Sequence, residues 1–183
     1  MRTCWRHFKI ILIVRVILTL LLFAHVSCLG AFAVADDAQE RAEKIKIAYL
    51  FHFGQFIEWT TKTPVFTYCV YDDTHFTQLL KQAYGNKKIG NISVDVVNVT
   101  EKSNVDSCQI LYFPNVISAE LLTKIRKKPI VSVGTQKTIL EQGIIYLFED
   151  EQKIHFYINN ANALESSLKV SSQLLALSKD APQ

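Results

Sequence analysis

The chain is predicted to be α/β: a single domain with a mixed, mostly parallel sheet and helices on both faces, a three-layer α/β/α sandwich. Three observations predict this. Short apolar runs alternate with helical segments along most of the chain. Several of those runs are continuously apolar, as strands covered on both faces must be. Strongly apolar amphipathic stretches stand at both ends and can close the layers.

The elements follow in order. Ala38 to Trp59 reads as a helix. Asp36, Asp37, Glu40 and Glu43 sit at its start, where they complement the helix dipole. Ile45, Ala48, Tyr49, His52, Phe56 and Trp59 recur at helical spacing, while Ile47, Leu50, Phe51, Phe53 and Ile57 make the second half apolar nearly all round. Such a helix is buried on more than one side or presents a face to a partner. Pro64 marks the break after it. Val65–Tyr71 is a strand, Thr74–Tyr84 a helix ending near Gly85, Ile92–Val99 a strand, and Ile110–Phe113 a short strand before Pro114. Ser118–Lys127 is a helix, Ile130–Val133 a strand, Gln136–Gln142 a short helix stopped by Gly143, and Ile144–Phe148 a strand. In Ile154–Ile158 the apolar residues alternate with His155 and Tyr157, which marks the second arm of a hairpin lying at a sheet edge. A last helix is expected from Ala161 to Leu177, with Asn162 and Glu165 as a capping box.

The first 35 residues differ from the rest of the 183. Arg2, Arg6, Lys9 and Arg15 precede or punctuate an apolar run from Ile10 to Ala24, and Ala33-Val34-Ala35 follows as a small-x-small end. That is the layout of a secretory signal peptide, residues 1–35, leaving residues 36–183 as the working domain. Two other readings compete: Val16–Ala35 is long enough to remain as a membrane anchor, and Cys28 invites lipidation although His25 fits that signal poorly. The formal charge of +3 belongs to the leader, which holds four of the 20 basic residues and none of the 17 acidic ones. The remainder is therefore slightly acidic, and nothing in it suggests nucleic-acid binding.

Export makes the cysteines informative. Cys4 and Cys28 lie in the leader, so Cys69 and Cys108 remain. Two thiols in an oxidising compartment read as one disulfide, the alternative being two separate buried cysteines.

A search for chemistry finds no catalytic constellation. His52, His75 and His155 each stand without a ligand partner at metal-binding spacing, so neither a metal nor a cofactor is expected. His52 on an apolar helix face reads as a core or interface residue, His155 as exposed, and Asp72-Asp73 before His75 as a helix cap. Gly85–Gly90 lacks the Lys-Ser/Thr ending of a phosphate loop. Glu149-Asp150-Glu151 reads as a solvated turn. No nucleophile, base and oxyanion group converge, so the chain is not read as an enzyme.

The residues resemble the YfiR-like family. The resemblance is carried by Ile47-Ala48-Tyr49-Leu50-Phe51-His52-Phe53 with Phe56-Ile57-Glu58-Trp59, by Tyr68-Cys69-Val70, and by Cys108-Gln109-Ile110-Leu111-Tyr112-Phe113. It continues in Pro129-Ile130-Val131-Ser132-Val133 and Gly143-Ile144-Ile145, and ends in Phe156-Tyr157-Ile158-Asn159 and Leu168-Lys169-Val170-Ser171-Ser172-Gln173-Leu174-Leu175. It spans residues 44 to 178. It implies a periplasmic regulator that binds and represses the sensor domain of an inner-membrane diguanylate cyclase, lowering cyclic-di-GMP and biofilm formation. It also implies homodimers in some members. A sensor histidine kinase as partner, or a small-molecule-binding role, is the alternative. Tyr49, Phe53 and Trp59 on the first helix are the candidate partner contacts, because aromatic side chains dominate binding hot spots. Some members carry a second cysteine pair late in the domain, tied to redox sensing, whereas this chain has no cysteine after Cys108. His52 stands where Asn is usual, Thr60 where Pro is common, and Glu151-Gln152-Lys153 where a glycine-containing turn is found.

Overall fold

A computed structural model describes Arg15 and residues 37–60, 63–151 and 153–180. The signal-peptide reading and its two competitors lie outside the described residues. The chain divides into two units, Met1–Ala42 and Glu43–Gln183. In the first, residues 37–42 are helical, with Arg41 paired to Asp37 across one turn. The second contains the fold.

There α1 takes residues 43–56 and runs directly into a three-residue strand β1, Ile57–Trp59. The expected helix through Trp59 therefore ends one turn early. The reason is long-range pairing, since β1 forms an antiparallel ladder with a late strand, β9 (Leu168–Val170), matching Ile57 to Val170 and Trp59 to Leu168. The remaining elements are β2 (Val65–Tyr71), α2 (Thr74–Tyr84), β3 (Lys88–Ile89), β4 (Ile92–Val99), β5 (Ile110–Phe113) and α3 (Ala119–Ile125). After them come β6 (Val131–Gly134), α4 (Ile139–Gln142), β7 (Ile145–Asp150), β8 (Lys153–Ile158), α5 (Asn160–Glu165) and, after β9, α6 (Ser172–Leu177).

Seven strands form the main sheet in the order β3-β4-β2-β5-β6-β7-β8. The pairs β4-β2, β2-β5, β5-β6 and β6-β7 are parallel, and the outer pairs β3-β4 and β7-β8 are antiparallel. The fully apolar runs are thus the central parallel strands, and the alternating run is the edge strand β8. The short strand β3 was not expected. Gly90, with φ of 58°, supplies the left-handed turn that folds Lys88–Ile89 back onto β4.

Strand alternation sorts the side chains into two layers. One face carries Cys69, Leu111, Phe113 and Tyr146, which pack with Leu121, Leu122 and Ile125 of α3 and Ile139 of α4. The other face meets α1 and α2. Tyr68 lies 4.9 Å from the Tyr84 ring, Tyr112 lies 4.9 Å from Phe76, and Phe156 meets Phe53 edge-on at 5.3 Å. The Tyr84 hydroxyl donates to the Ile47 carbonyl and so ties α2 to α1. Helices therefore cover both faces, and the chain folds as the mixed, mostly parallel α/β domain expected.

The start of the central strands is stitched by one buried amide. Gln109 Oε1 accepts from Thr67 N at 2.6 Å, Gln109 N donates to Thr67 O, and Val131 N donates to Gln109 O. Next to it a disulfide joins Cys69 of β2 to Cys108, just ahead of β5.

The last third departs most from the sequence reading. The single helix from Ala161 to Leu177 is replaced by α5, β9 and α6. Ser167 adopts φ of 58°, a left-handed conformation that breaks any helix there, and Leu168 and Val170 are buried while Lys169 is exposed. Asn162 and Glu165 form no capping box. Asn159 caps α5 instead, its side-chain oxygen accepting from Asn162 N at 3.1 Å while its Nδ2 donates to Leu140 O. Asn162 turns its own Nδ2 to the carbonyls of Gly143 and Glu141. Replacing Asn159 with alanine should therefore cost about 1–2 kcal/mol, since it removes a cap and strands the Leu140 acceptor. A shift in urea midpoint at unchanged slope would measure it, and no shift would refute the assignment.

Candidate functional site

The site is an apolar groove between the second half of α1 and α6. Tyr49, His52 and Phe56 of α1 form one wall, Gln173, Leu174 and Leu177 of α6 the other, and Phe156 of β8 the floor. Its volume is about 270 Å³. The spacing of 49, 52 and 56 puts those three rings on one helix stripe. Leu174 pins α6 to the body at 3% exposure, while Leu177 stands 71% exposed at the rim. Tyr49 is fixed in two ways: its hydroxyl donates to Ile154 O at 3.1 Å, and its ring meets Phe156 edge-on at 5.2 Å. The backbone amide of Ser171 donates to Phe56 O, which holds α6 in register with the end of α1.

The candidate residues fare differently. Tyr49 lines the groove. Phe53 is 0% exposed in the core, where its ring stacks on Tyr49 and meets Phe156 edge-on, so its place among partner contacts is corrected: it supports the groove wall from behind. Trp59 is half-buried on β1 and meets Phe66 edge-on at 5.1 Å. It borders a separate pocket of about 240 Å³ with Cys108, Gln109 and Lys128, so the structure does not bring Trp59 and Tyr49 to one site. Among the described residues its indole N–H has no hydrogen-bond partner. Phe56, Phe156, Leu174 and Leu177 are not among the partner contacts that the sequence nominates. Leu174 and Leu177 at helical spacing were a signal, but the pairing of that stripe with α1 is a tertiary fact.

The histidines also separate. His52 is exposed at the groove rim, its ring 6.1 Å from Phe56, so it is not a core residue. His75 is exposed, 3.8 Å from Glu43, and Asp73 caps α2 by accepting from Phe76 N at 2.8 Å. His155 is half-buried against Phe148. Among the described residues no group of three or more His, Cys, Asp and Glu is placed to hold a metal ion.

Burial pushes the hydroxyls of Tyr68, Tyr84 and Tyr112 well above the ordinary tyrosine range. Lys128, donating to Asp106 at 2.6 Å, holds that carboxyl below its usual range. The Asp106 contact contributes stability above the unfolded carboxylate pKa and loses it as pH falls through the lowered value. It is solvent-exposed and its effect is small. The groove offers aromatic and aliphatic surface for binding.

Among the described residues no helix is long and apolar enough to cross a membrane. No curated protein matches the chain. A family model does, over residues 43–179, and it is described as YfiR/HmsC-like. The match takes in both helices of the groove, the whole sheet and both bonded cysteines, and the chain belongs to the YfiR/HmsC-like family.

Proposed function

We propose that this protein is a periplasmic regulator, exported by a cleaved leader of residues 1–35, that binds the sensor domain of an inner-membrane diguanylate cyclase and holds it inactive. Family membership across residues 43–179 carries the reading. A buried disulfide suits an oxidising compartment. The groove beside α1 supplies the surface, because aromatic rings such as Tyr49 are the usual anchors of binding hot spots. Tyr49 is the contact from the sequence reading that lies on this surface, and Trp59 belongs to a second face. Regulation of this kind biases the receptor between two states through differential affinity, and needs no catalysis by the regulator.

Deleting the gene should raise cyclic-di-GMP, and wild-type protein should restore it. Leu177→Arg should leave the fold intact, because the side chain is 71% exposed, and should weaken capture of the receptor about tenfold to a hundredfold. Unchanged cyclic-di-GMP on deletion would remove the cyclase from the proposal.

The groove volume also favours a second reading. About 270 Å³ lies just under the usual range for small-molecule pockets, and the lining is almost wholly apolar. A ligand there would raise the melting temperature with concentration. Leu177→Arg would abolish that shift without touching cyclic-di-GMP, and a sensor histidine kinase would then be the receptor to test.

A further inference from the structure

The pocket of about 240 Å³ beside Trp59 opens at the amino-terminal ends of the central strands, where Gln109 leads into β5 and Lys128, Pro129 and Ile130 lead into β6. It shares no lining residue with the groove beside α1. Its most buried polar residue is Gln109, at 6% exposure. The orientation of that amide is fixed by chemistry. Thr67 N–H is a donor, so the side-chain atom 2.6 Å from it is the oxygen. The Gln109 backbone is held as well, by Thr67 O and Val131 N. What remains is Nε2, which carries two N–H donors and has no hydrogen-bond partner among the described residues.

Trp59 repeats the shortage. Its indole N–H can only donate, and it is buried with no partner among the described residues. At the rim the Lys128 ammonium donates to Asp106 at 2.6 Å, which uses one of its three donors and occupies the Asp106 carboxylate. Buried donors left unpaired are costly, and native domains keep few of them. Two on residues that border one opening mark a place short of acceptors. The complement is a group that only accepts. A carboxylate does so, and one lysine already shared with Asp106 suits a monoanion better than a phosphate. Trp59, Pro129 and Ile130 give such a ligand an apolar wall, and the volume restricts it to a small molecule.

We propose that this pocket binds a small organic carboxylic acid, with its carboxylate on Gln109 Nε2 and the Lys128 ammonium and its apolar body against Trp59 and Pro129. The inference rests on the unpaired donors. It does not depend on the receptor's identity or on a ligand in the groove beside α1.

The test uses the protein purified from cells at neutral pH, with benzoate and butanoate as probes and benzamide and butanamide as uncharged controls. The side-chain amide resonances of Gln109 should shift with at least one acid, and that acid should raise the melting temperature as its concentration rises. The matching amide should bind about tenfold more weakly. Gln109→Glu keeps an oxygen for Thr67 N but loses the free donors, and should weaken the acid about tenfold or more. Lys128→Met changes an exposed rim residue, so it keeps the proposal testable if Gln109→Glu fails to fold, and it should weaken the acid by a similar factor. Leu177→Arg, in the other groove, should bind the acid as the parent does. No shift of the Gln109 amide with either acid would overturn the site. An amide that binds as tightly as its acid, or unchanged affinity in Lys128→Met, would overturn the carboxylate. Affinity lost in Leu177→Arg would place the acid in the groove and overturn this pocket as its site.

Discussion

Gly54→Ala should be among the most destabilising single substitutions in this domain, at about 3 kcal/mol. Gly54 lies on the buried side of α1, where the helix backbone meets the sheet. A β-carbon there would collide with the Tyr68 hydroxyl and press on Ile89 Cδ1 at 3.1 Å. The end of a flexible side chain would yield, but Tyr68 is 1% exposed and wedged between Phe66 at 5.1 Å and Tyr84 at 4.9 Å. Overpacking of that kind costs about 1–3 kcal/mol, and more when the neighbours are fixed. It overwhelms the small gain in helix propensity that alanine brings.

The same geometry supplies its own control. Among the described residues the Tyr68 hydroxyl has no hydrogen-bond partner, although it is buried. Tyr68→Phe alone should therefore be neutral or stabilising by up to about 1 kcal/mol, since it removes an unsatisfied polar atom. Gly54→Ala combined with Tyr68→Phe should recover most of the loss. Urea midpoints for the two single variants and the pair form the cycle that measures this coupling. Strict additivity would mean that the hydroxyl is not what the new methyl group meets.

Breaking the disulfide has an effect of similar size for a different reason. Cys69 and Cys108 are separated by 39 residues, and closing a loop of that length removes about 3–4 kcal/mol of entropy from the unfolded chain. For a domain of this size that corresponds to roughly 10 °C in melting temperature. Both cysteines are almost wholly buried, so reductant should act only on opened molecules and native protein should resist it. Urea unfolding of the oxidised and the reduced wild-type chain isolates the loop contribution, whereas alanine at both positions adds the loss of packed sulfur atoms. Coincident curves for oxidised and reduced protein would show that the bond does not contribute to stability. A bond beneath α3 and α4 is a structural brace, poorly exposed to an external oxidant or reductant.

Much of the fold was legible because its signals are local. Val65–Tyr71, Thr74–Tyr84, Ile92–Val99 and Ile110–Phe113 have the bounds that their apolar patterns and flanking Pro, Gly and Asp predict. Continuous apolar runs became parallel central strands, and the alternating run became the edge. The bonded pair followed from counting the cysteines outside the first 35 residues. The misreadings share one cause. Ile57–Trp59 and Leu168–Val170 each continue a helical pattern, and three residues are too few for a two-residue period to stand out from a 3.6-residue one. Their strand state exists only because the two segments, more than a hundred positions apart, pair with each other.

The site divides in the same way. The sequence by itself determined that α1 carries more apolar surface than one face can bury and that the domain is α/β. It could not sort Tyr49, Phe53 and Trp59, because neighbouring rings on a helix and the strand after it look alike until the sheet takes its place. The tertiary structure buried Phe53, gave Trp59 to another face, and brought Leu177 and Phe156 beside Tyr49. That sorting depends on where β8 and α6 pack, and such contacts are fixed by the mutual fit of distant elements, which no local pattern encodes.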